Sequence, residues 1–397
     1  MSRRLLGLGV FLALGVALWF VPLAREAADF PIFYLIFLYQ MFFWIAQATS
    51  WNILTGYSGY FSFGQAAFFG VGVYTSAILV ARYDMNFFLS VPLGGVMSML
   101  LALLIGFVAF RLRALRGEVF ALLTLAVTFV LAALARISSF IDGGQGRAIA
   151  LPEYPEFLGE YADFIFRLGL AIAVIAVATA YAIQNSKFGR GLFAIHDDED
   201  VAEALGVPTF RYKMIVLGLS GLLAGGAGAI HSLQISYVTI EETFSFSIPL
   251  FVILMSTLGG RQHWLGPVIG AAVVFTLQDR LAGLGYGDLS QILLGAVLIL
   301  SILFMPEGLY LRIRSRLRLT LLIFALALLV QYVFDLGGTV LTKIVWAMLA
   351  LFIVLVVPTR LLSWVPWLRP APPARGGLAP IPEPVVAVKR SEKEVRT

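Results

Sequence analysis

Two groups of side chains in this 397-residue chain are unusual for their surroundings and suited to chemistry. From Pro31 to Ala81 there is no Asp, Glu, Lys or Arg, yet the stretch carries Gln40, Gln47, Asn52, Ser58, Ser62 and Gln65 among apolar neighbours. Buried amides and hydroxyls cost free energy unless they meet partners or a cavity. Here they suit either of two tasks: lining a path for a polar, uncharged or zwitterionic solute, or bonding helix to helix. The second group lies in a charged stretch from Asn185 to Lys213, with Gly189 and Arg190, then Asp197, Asp198, Glu199, Asp200, Glu203, Ala204, Leu205, Gly206 and Pro208. Carboxylates favour the positive end of a helix dipole, so Asp197 to Asp200 predict the start of a short helix running to Leu205. Gly206 and then Pro208 stop it. With Val201, Ala204 and Leu205 as an apolar face and Lys187–Arg190 as an upstream arm, that helix has the form of a mechanical lever.

Several classes of chemistry are excluded. Cys is absent and His numbers three, His196, His231 and His263, so neither a disulfide framework nor a metal cluster is expected. No cofactor and no catalytic residue is assigned. No G-x-x-x-x-G-K-[ST] run is present, so any ATP used must be bound by another chain by that route. The runs Met214–Ile240, Phe244–Gly260 and Leu289–Met305 carry no Asp, Glu, Lys or Arg, whereas ion-coupled carriers and proton pumps place carboxylates at mid-membrane.

The elements that must position these residues are membrane helices. Hydrophobic residues make up 60% of the chain and charged residues 13%, about half the charge of an ordinary soluble domain, and mean hydropathy is +0.92. The excess apolar surface must face lipid, so the expected class is an all-α polytopic membrane protein. Core spans are expected near residues 5–22, 32–54, 60–81, 89–110, 118–136, 164–184, 214–236, 244–258, 266–279 and 289–305, ten in all. A C-terminal pair follows near 319–335 and 340–357. The first run has no convincing small-residue cleavage site after it and is read as a retained span. The core is assigned to residues 1–310, the added pair to 311–360, and a disordered Pro-rich cytoplasmic tail to 361–397. The net charge of +5 falls in short clusters between spans, including Arg111, Arg113 and Arg116, then Arg312, Arg314, Arg316 and Arg318, which argues against nucleic acid. Alternating spans from a cytoplasmic N-terminus places all of these inside, along with the C-terminus, and the acidic stretch Asp142–Asp163 outside.

Glycine marks the interruptions. Gly56, Gly59 and Gly64 fall within nine residues, a composition for close packing or for a broken helix. A second break lies at Gly259–Gly266, and paired breaks of this kind can mark a central site in transporters. Ser220, Ala224 and Gly228, with Gly221, Gly225 and Ala229, form a small-xxx-small face for tight helix contact, and His231 beyond it is read as a packing residue.

The segment Asn52-Ile53-Leu54-x-Gly56-Tyr57-x-Gly59-x-x-Ser62-x-Gly64-Gln65-x-x-Phe68 resembles the signature of branched-chain amino-acid ABC importer permeases, M-type subunit. Arg116-Gly117-x-x-Phe120-Ala121-x-x-Thr124-Leu125 and Gly143-Gly144-x-Gly146 are similar to that family's next blocks. Lys187-Phe188-Gly189-Arg190, Asp198-Glu199 and Ala204-Leu205-Gly206 resemble its ATPase-coupling loop. Gly259-Gly260, Gly266-Pro267-x-x-Gly270 and Phe304-x-Pro306-x-Gly308-Leu309 resemble its closing blocks. The resemblance implies a heteromeric importer in the bacterial inner membrane, with a sister permease, two ABC ATPase subunits, an external substrate-binding protein and surrounding lipid as partners. It implies leucine, isoleucine and valine as substrates, while relatives import urea, amides or aromatic acids; a stand-alone channel or secondary carrier is the alternative from another class. His196 stands where the family often has Arg, and Gln262-His263 where it often has Gly-Thr.

Overall fold

In a computed structural model of the chain, the described residues are 9, 13–23, 31–112, 117–141, 143–149, 154, 158–283, 292, 295–296, 299, 308–315, 320, 324–326 and 329. The helices in order are α1 (Ala13–Leu23), α2 (Ile32–Ser58), α3 (Gln65–Tyr83), α4 (Phe87–Ala109), α5 (Glu118–Ile137), α6 (Tyr161–Asn185), α7 (Lys187–Asp197), α8 (Glu199–Ala204), α9 (Thr209–Ile235), α10 (Ile240–Thr243), α11 (Ser247–Gly259), α12 (Gly266–Gly283) and α13 (Gly308–Ser315). Among the described residues, seven stretches are long and apolar enough to cross a membrane: α2, α3, α4, α5, α6, α9, and Ile240–Gly259, which contains α10 and α11. The protein is therefore an all-α polytopic membrane protein. The spans expected near 289–305, 319–335 and 340–357 and the tail 361–397 lie outside the described residues, apart from isolated positions.

Local signals set the helix ends. Asn86 caps α4, its side chain accepting from the Phe88 amide, so the helix starts cleanly despite Pro92 in its second turn. Glu160 and Asp163 form a reciprocal capping box at the start of α6. Span three, expected from residue 60, begins at Gln65 because residues 59–64 are not helical.

The small residues expected to pack do so, backbone against backbone. A Cβ on Gly72 of α3 would lie 2.0 Å from the Gly225 carbonyl oxygen of α9, and one on Gly225 would lie 2.1 Å from the Ser98 hydroxyl of α4. Gly221 faces Ala102 and Ser98, Gly228 faces the Phe69 carbonyl, and Ser98 donates to the Phe68 carbonyl at 2.7 Å. Lipid gives helices no hydrophobic reason to associate, so this close approach and its dispersion contacts hold α3, α4 and α9 together. Gly270 and Gly259 do the same for α11 and α12, where added Cβ atoms would lie 1.7 and 1.8 Å from the Met255 and Gly266 carbonyl oxygens. His231 is stacked on Phe43 at 4.1 Å and bonded to the Tyr39 hydroxyl at 2.9 Å, a packing role.

The connections sort to two ends. At one, Gly56 abuts the Arg261 backbone, Gly59 abuts His196, the Gln184 side chain bonds to Gln262 and Trp264, and His263 stacks on Tyr310. At the other, the short strands β1 (Arg147–Ala148) and β2 (Tyr237–Val238) pair antiparallel, Arg136 pairs with Glu241, and Tyr161 donates to the Leu233 carbonyl. This grouping is the one that alternating spans require.

The packing predicts that Gly72→Ala, whose methyl meets rigid backbone, destabilises the detergent-solubilised protein by about 1–3 kcal/mol in thermal unfolding. Gly226→Ala is the control: its new Cβ meets only Ile172 Cδ1 at 3.6 Å, and its unfolding temperature should match or slightly exceed the parent's.

Candidate functional site

The short helix expected to start within Asp197–Asp200 and run to Leu205 is present as α8, and a second helix, α7, which the sequence did not announce, precedes it. The upstream arm is the first turn of the 11-residue α7, capped by Ser186, whose hydroxyl accepts from the Gly189 amide at 3.0 Å. At Asp198 the backbone turns extended, ending α7, and the Asp198 carboxylate accepts from the Val201 amide at 3.0 Å to cap α8. A residue that caps the next helix cannot continue the previous one, so Asp197 closes α7 where it was expected to open a helix. Gly206 sits at φ 86°, a conformation that favours glycine, and turns the chain toward Pro208 and α9.

The loop has a buried face and an outward face. Gly189, Leu192, Ile195 and Ala202 are buried, and a Cβ on Gly189 would meet the Ile183 carbonyl at 2.1 Å. Arg190, Asp198, Asp200, Glu203, Ala204 and Gly206 are exposed, as are Val201 at 54% and Leu205 at 79%. Two large apolar side chains thus face away from the protein on a helix whose other side is fixed.

Glu199 is the exception among the loop carboxylates, because it points inward. Lys213 Nζ, buried in the first turns of α9, donates to Glu199 Oε1 at 2.6 Å and to the Tyr60 hydroxyl at 3.1 Å, and the Tyr60 hydroxyl donates to Glu199 Oε2. The two ionised side chains are only 3% and 11% exposed. The ammonium also lies 4.7 Å from the Tyr60 ring and 4.9 Å from the Phe110 ring, favourable cation–π distances. Sequence reasoning missed Tyr60 and Lys213. The available signal was a lone lysine just inside an apolar run, which needs a carboxylate partner.

Tyr60 belongs to the non-helical segment between α2 and α3, at the first glycine-rich break. Gly59 ends α2 at φ 78°, and a Cβ there would lie 3.0 Å from His196 Nδ1, so conformation and contact both require glycine. The segment then doubles back along α2. The Thr55 hydroxyl donates to the Tyr60 carbonyl, the Trp51 indole to the Ser62 carbonyl at 2.7 Å, and the Phe63 amide to the Thr124 hydroxyl at 3.0 Å. Gln65 reaches Gln47 Oε1 and the Ser50 hydroxyl, each at 2.7 Å.

The five residues expected along a solute path, Gln47, Asn52, Ser58, Ser62 and Gln65, are all buried within the chain. Gln47 donates to the Ala224 carbonyl, Ser58 to the Leu54 carbonyl, and the Ser62 hydroxyl accepts from the Gly64 amide. Both amide atoms of Asn52 are buried without a hydrogen-bond partner among the described residues, and its Oδ1 fills the space beside Gly56.

The sequence matches, over residues 33–302, the family described as branched-chain amino acid transport system / permease component. The chain belongs to this family. Among the relatives of this permease, the high-affinity branched-chain amino acid transport system permease protein LivM of Salmonella typhimurium is 25% identical over 293 residues, 68% of each chain. The protein of the same name from Escherichia coli K12 is 24% identical over 342 residues, covering 80% of this chain and 77% of the relative. The ribose import permease protein RbsC of Bacillus subtilis is 31% identical over 145 residues, 34% of this chain and 44% of that protein. No solved structure matches the chain.

The buried pair predicts that Lys213→Met, which strands Glu199, costs about 3–5 kcal/mol, read as a lowered unfolding temperature and faster protease cutting within residues 186–208. Glu199→Gln/Lys213→Met, which removes both charges, should recover much of that loss. His196 adds a pH dependence. Burial first, then Arg261, holds its pKa below the ordinary 6.5, with Asp197 opposing. A lowered folded-state pKa contributes stability that is complete above pH 6.5 and is lost as pH falls through the folded value. Thermal unfolding between pH 8 and pH 5 should therefore show a decline below about 6.5 that His196→Asn flattens.

Proposed function

We propose that this permease is the membrane-spanning subunit of an ATP-binding-cassette importer for branched-chain or related hydrophobic amino acids, in a bacterial inner membrane. It forms half of the translocation path, with a sister permease as the other half, and an external binding protein delivers the solute. Two cytoplasmic ATPase subunits supply the energy, one of them docking on the loop Lys187–Gly206. Both termini lie in the cytoplasm on this reading. The names of the relatives support the substrate class.

One observation carries the coupling role: Val201 and Leu205 project outward from a short helix that Glu199 anchors from beneath. An exposed apolar pair on a clamped element can receive a push without folding away. Docking would bury those two side chains in the ATPase and leave Arg190, Asp198, Asp200 and Glu203 around them as a polar rim, the usual anatomy of an interface. Gln47 and Gln65 serve the path on this reading by tying the start of α3 to α2, Ser62 braces the segment 59–64 at Gly64, and Ser58 and Asn52 lie beside it in α2.

Leu205→Glu tests the coupling. With its side chain already in water, the variant should fold as the parent does, while ATPase co-purification and ATP-driven leucine uptake in membrane vesicles fall about tenfold or more. Wild-type uptake by Leu205→Glu, or uptake by the parent assembly in vesicles emptied of ATP, would contradict the proposal.

A further inference from the structure

The proposed function leaves open where in the membrane the solute meets this chain. Two interruptions of the helical path enter the membrane from opposite ends, residues 59–64 and the stretch 236–246 around the four-residue α10. From one end, residues 59–64 climb beside α2. Ser62 accepts from Trp51, seven residues before the end of that helix, or about 10 Å up its axis at 1.5 Å per residue. From the other end, residues 236–246 descend through β2 and α10 to α11, which has 13 residues and so spans only about 20 Å of a bilayer core of about 30 Å. The segments meet where the Phe63 and Phe246 rings approach to 5.9 Å. Phe61 continues the line, 5.2 Å from Phe63 and 5.4 Å from Trp51.

These rings are only partly taken up by this chain's core, where Phe61 and Phe63 pack against Trp51, Val252 and Ile253. Phe61 and Phe63 are half-buried, and Phe246 is 41% exposed with Leu250 below it at 39%. A lipid occupant does not fit, because non-helical backbone at membrane depth is tolerated only within protein or beside a cavity. Discontinuous helices meeting near the midplane are the usual construction of a transporter's central site.

We propose that Phe61, Phe63 and Phe246 form the apolar wall that the hydrocarbon side chain of the transported amino acid touches at mid-membrane. The wall is aromatic and carries no charged group, which suits a branched aliphatic side chain. Its rings stand on the segment that carries Tyr60. A movement of α8 transmitted through Glu199 therefore reaches Phe61, the adjacent residue. This inference rests on the proposed function and extends it to named contacts.

The chain contains no Cys, so single cysteines can be placed without removing any. Phe61→Cys, Phe63→Cys and Phe246→Cys would be labelled with a hydrophilic maleimide in the complete assembly with its binding protein and ATP, with and without L-leucine. Phe129→Cys, on the exposed face of α5, is the lipid-facing control. The wall cysteines should label, leucine should slow that labelling several-fold, and the control should label poorly in either case. Leu250→Cys provides the same readout where an aromatic replacement fails to assemble. Wall cysteines that resist the reagent, or that label equally with leucine present, overturn the inference. So does oxidative cross-linking of those cysteines to the sister permease with no effect of leucine, which would identify a dry subunit contact. Those failures, with leucine uptake by the parent assembly intact, leave the importer reading standing; absence of ATP-driven leucine uptake by the parent would refute that reading instead.

Discussion

A carboxylate and an ammonium taken almost wholly out of water must remain together, because separating them exposes each to a desolvation cost that nothing nearby repays. Glu199 and Lys213 are such a pair, and the Tyr60 hydroxyl bonds to both. The three residues come from three places: the first turn of α8, the first turns of α9, and the non-helical segment between α2 and α3. Their union fixes the orientation of α8, and that orientation turns Val201 and Leu205 outward. It also joins the loop surface to the segment 59–64, so the two ends of the proposed coupling are mechanically continuous.

That continuity needs a stiff frame, which the glycine contacts provide. Where Gly72 meets Gly225, and where Gly259 and Gly270 meet the opposing helix, backbones approach more closely than any side chain would permit. Interhelical hydrogen bonds from Gln47 to α9 and from Ser256 to α2 tie α2 into the same frame. Packing this dense deforms poorly, so a load on α8 shifts whole elements and is not absorbed locally. The segment 59–64 is not helical, and side chains hold it: Thr55, Trp51 and Thr124 each bond to its backbone.

Membrane class, span order and the grouping of connections at two ends were legible in the sequence because each follows from long apolar runs and charge clusters, signals summed over many residues. The close-packing face of α9 was legible for a related reason, since small residues at every fourth position have few other uses. The loop was read less well. Four acidic residues in a row all suit a helix start, and only geometry shows that Asp198 takes the cap, Asp197 ends the preceding helix and Glu199 turns inward. The roles of Tyr60 and Phe63 were illegible because they depend on a segment doubling back, and periodicity carries no information about a segment without a period. For Gln47 and Gln65 the sequence left two readings open, and the structure shows them bonded to neighbours in the chain.

The most direct test of this account is the number of leucine molecules imported per ATP hydrolysed by the reconstituted assembly carrying Tyr60→Phe. This change removes one hydroxyl and keeps the ring against Phe110 and Phe120. If Tyr60 links α8 to the segment 59–64 as proposed, the assembly stays intact and continues to hydrolyse ATP while leucine imported per ATP falls. An unchanged ratio, at unchanged hydrolysis, would show that force reaches the path by another route and would contradict the account.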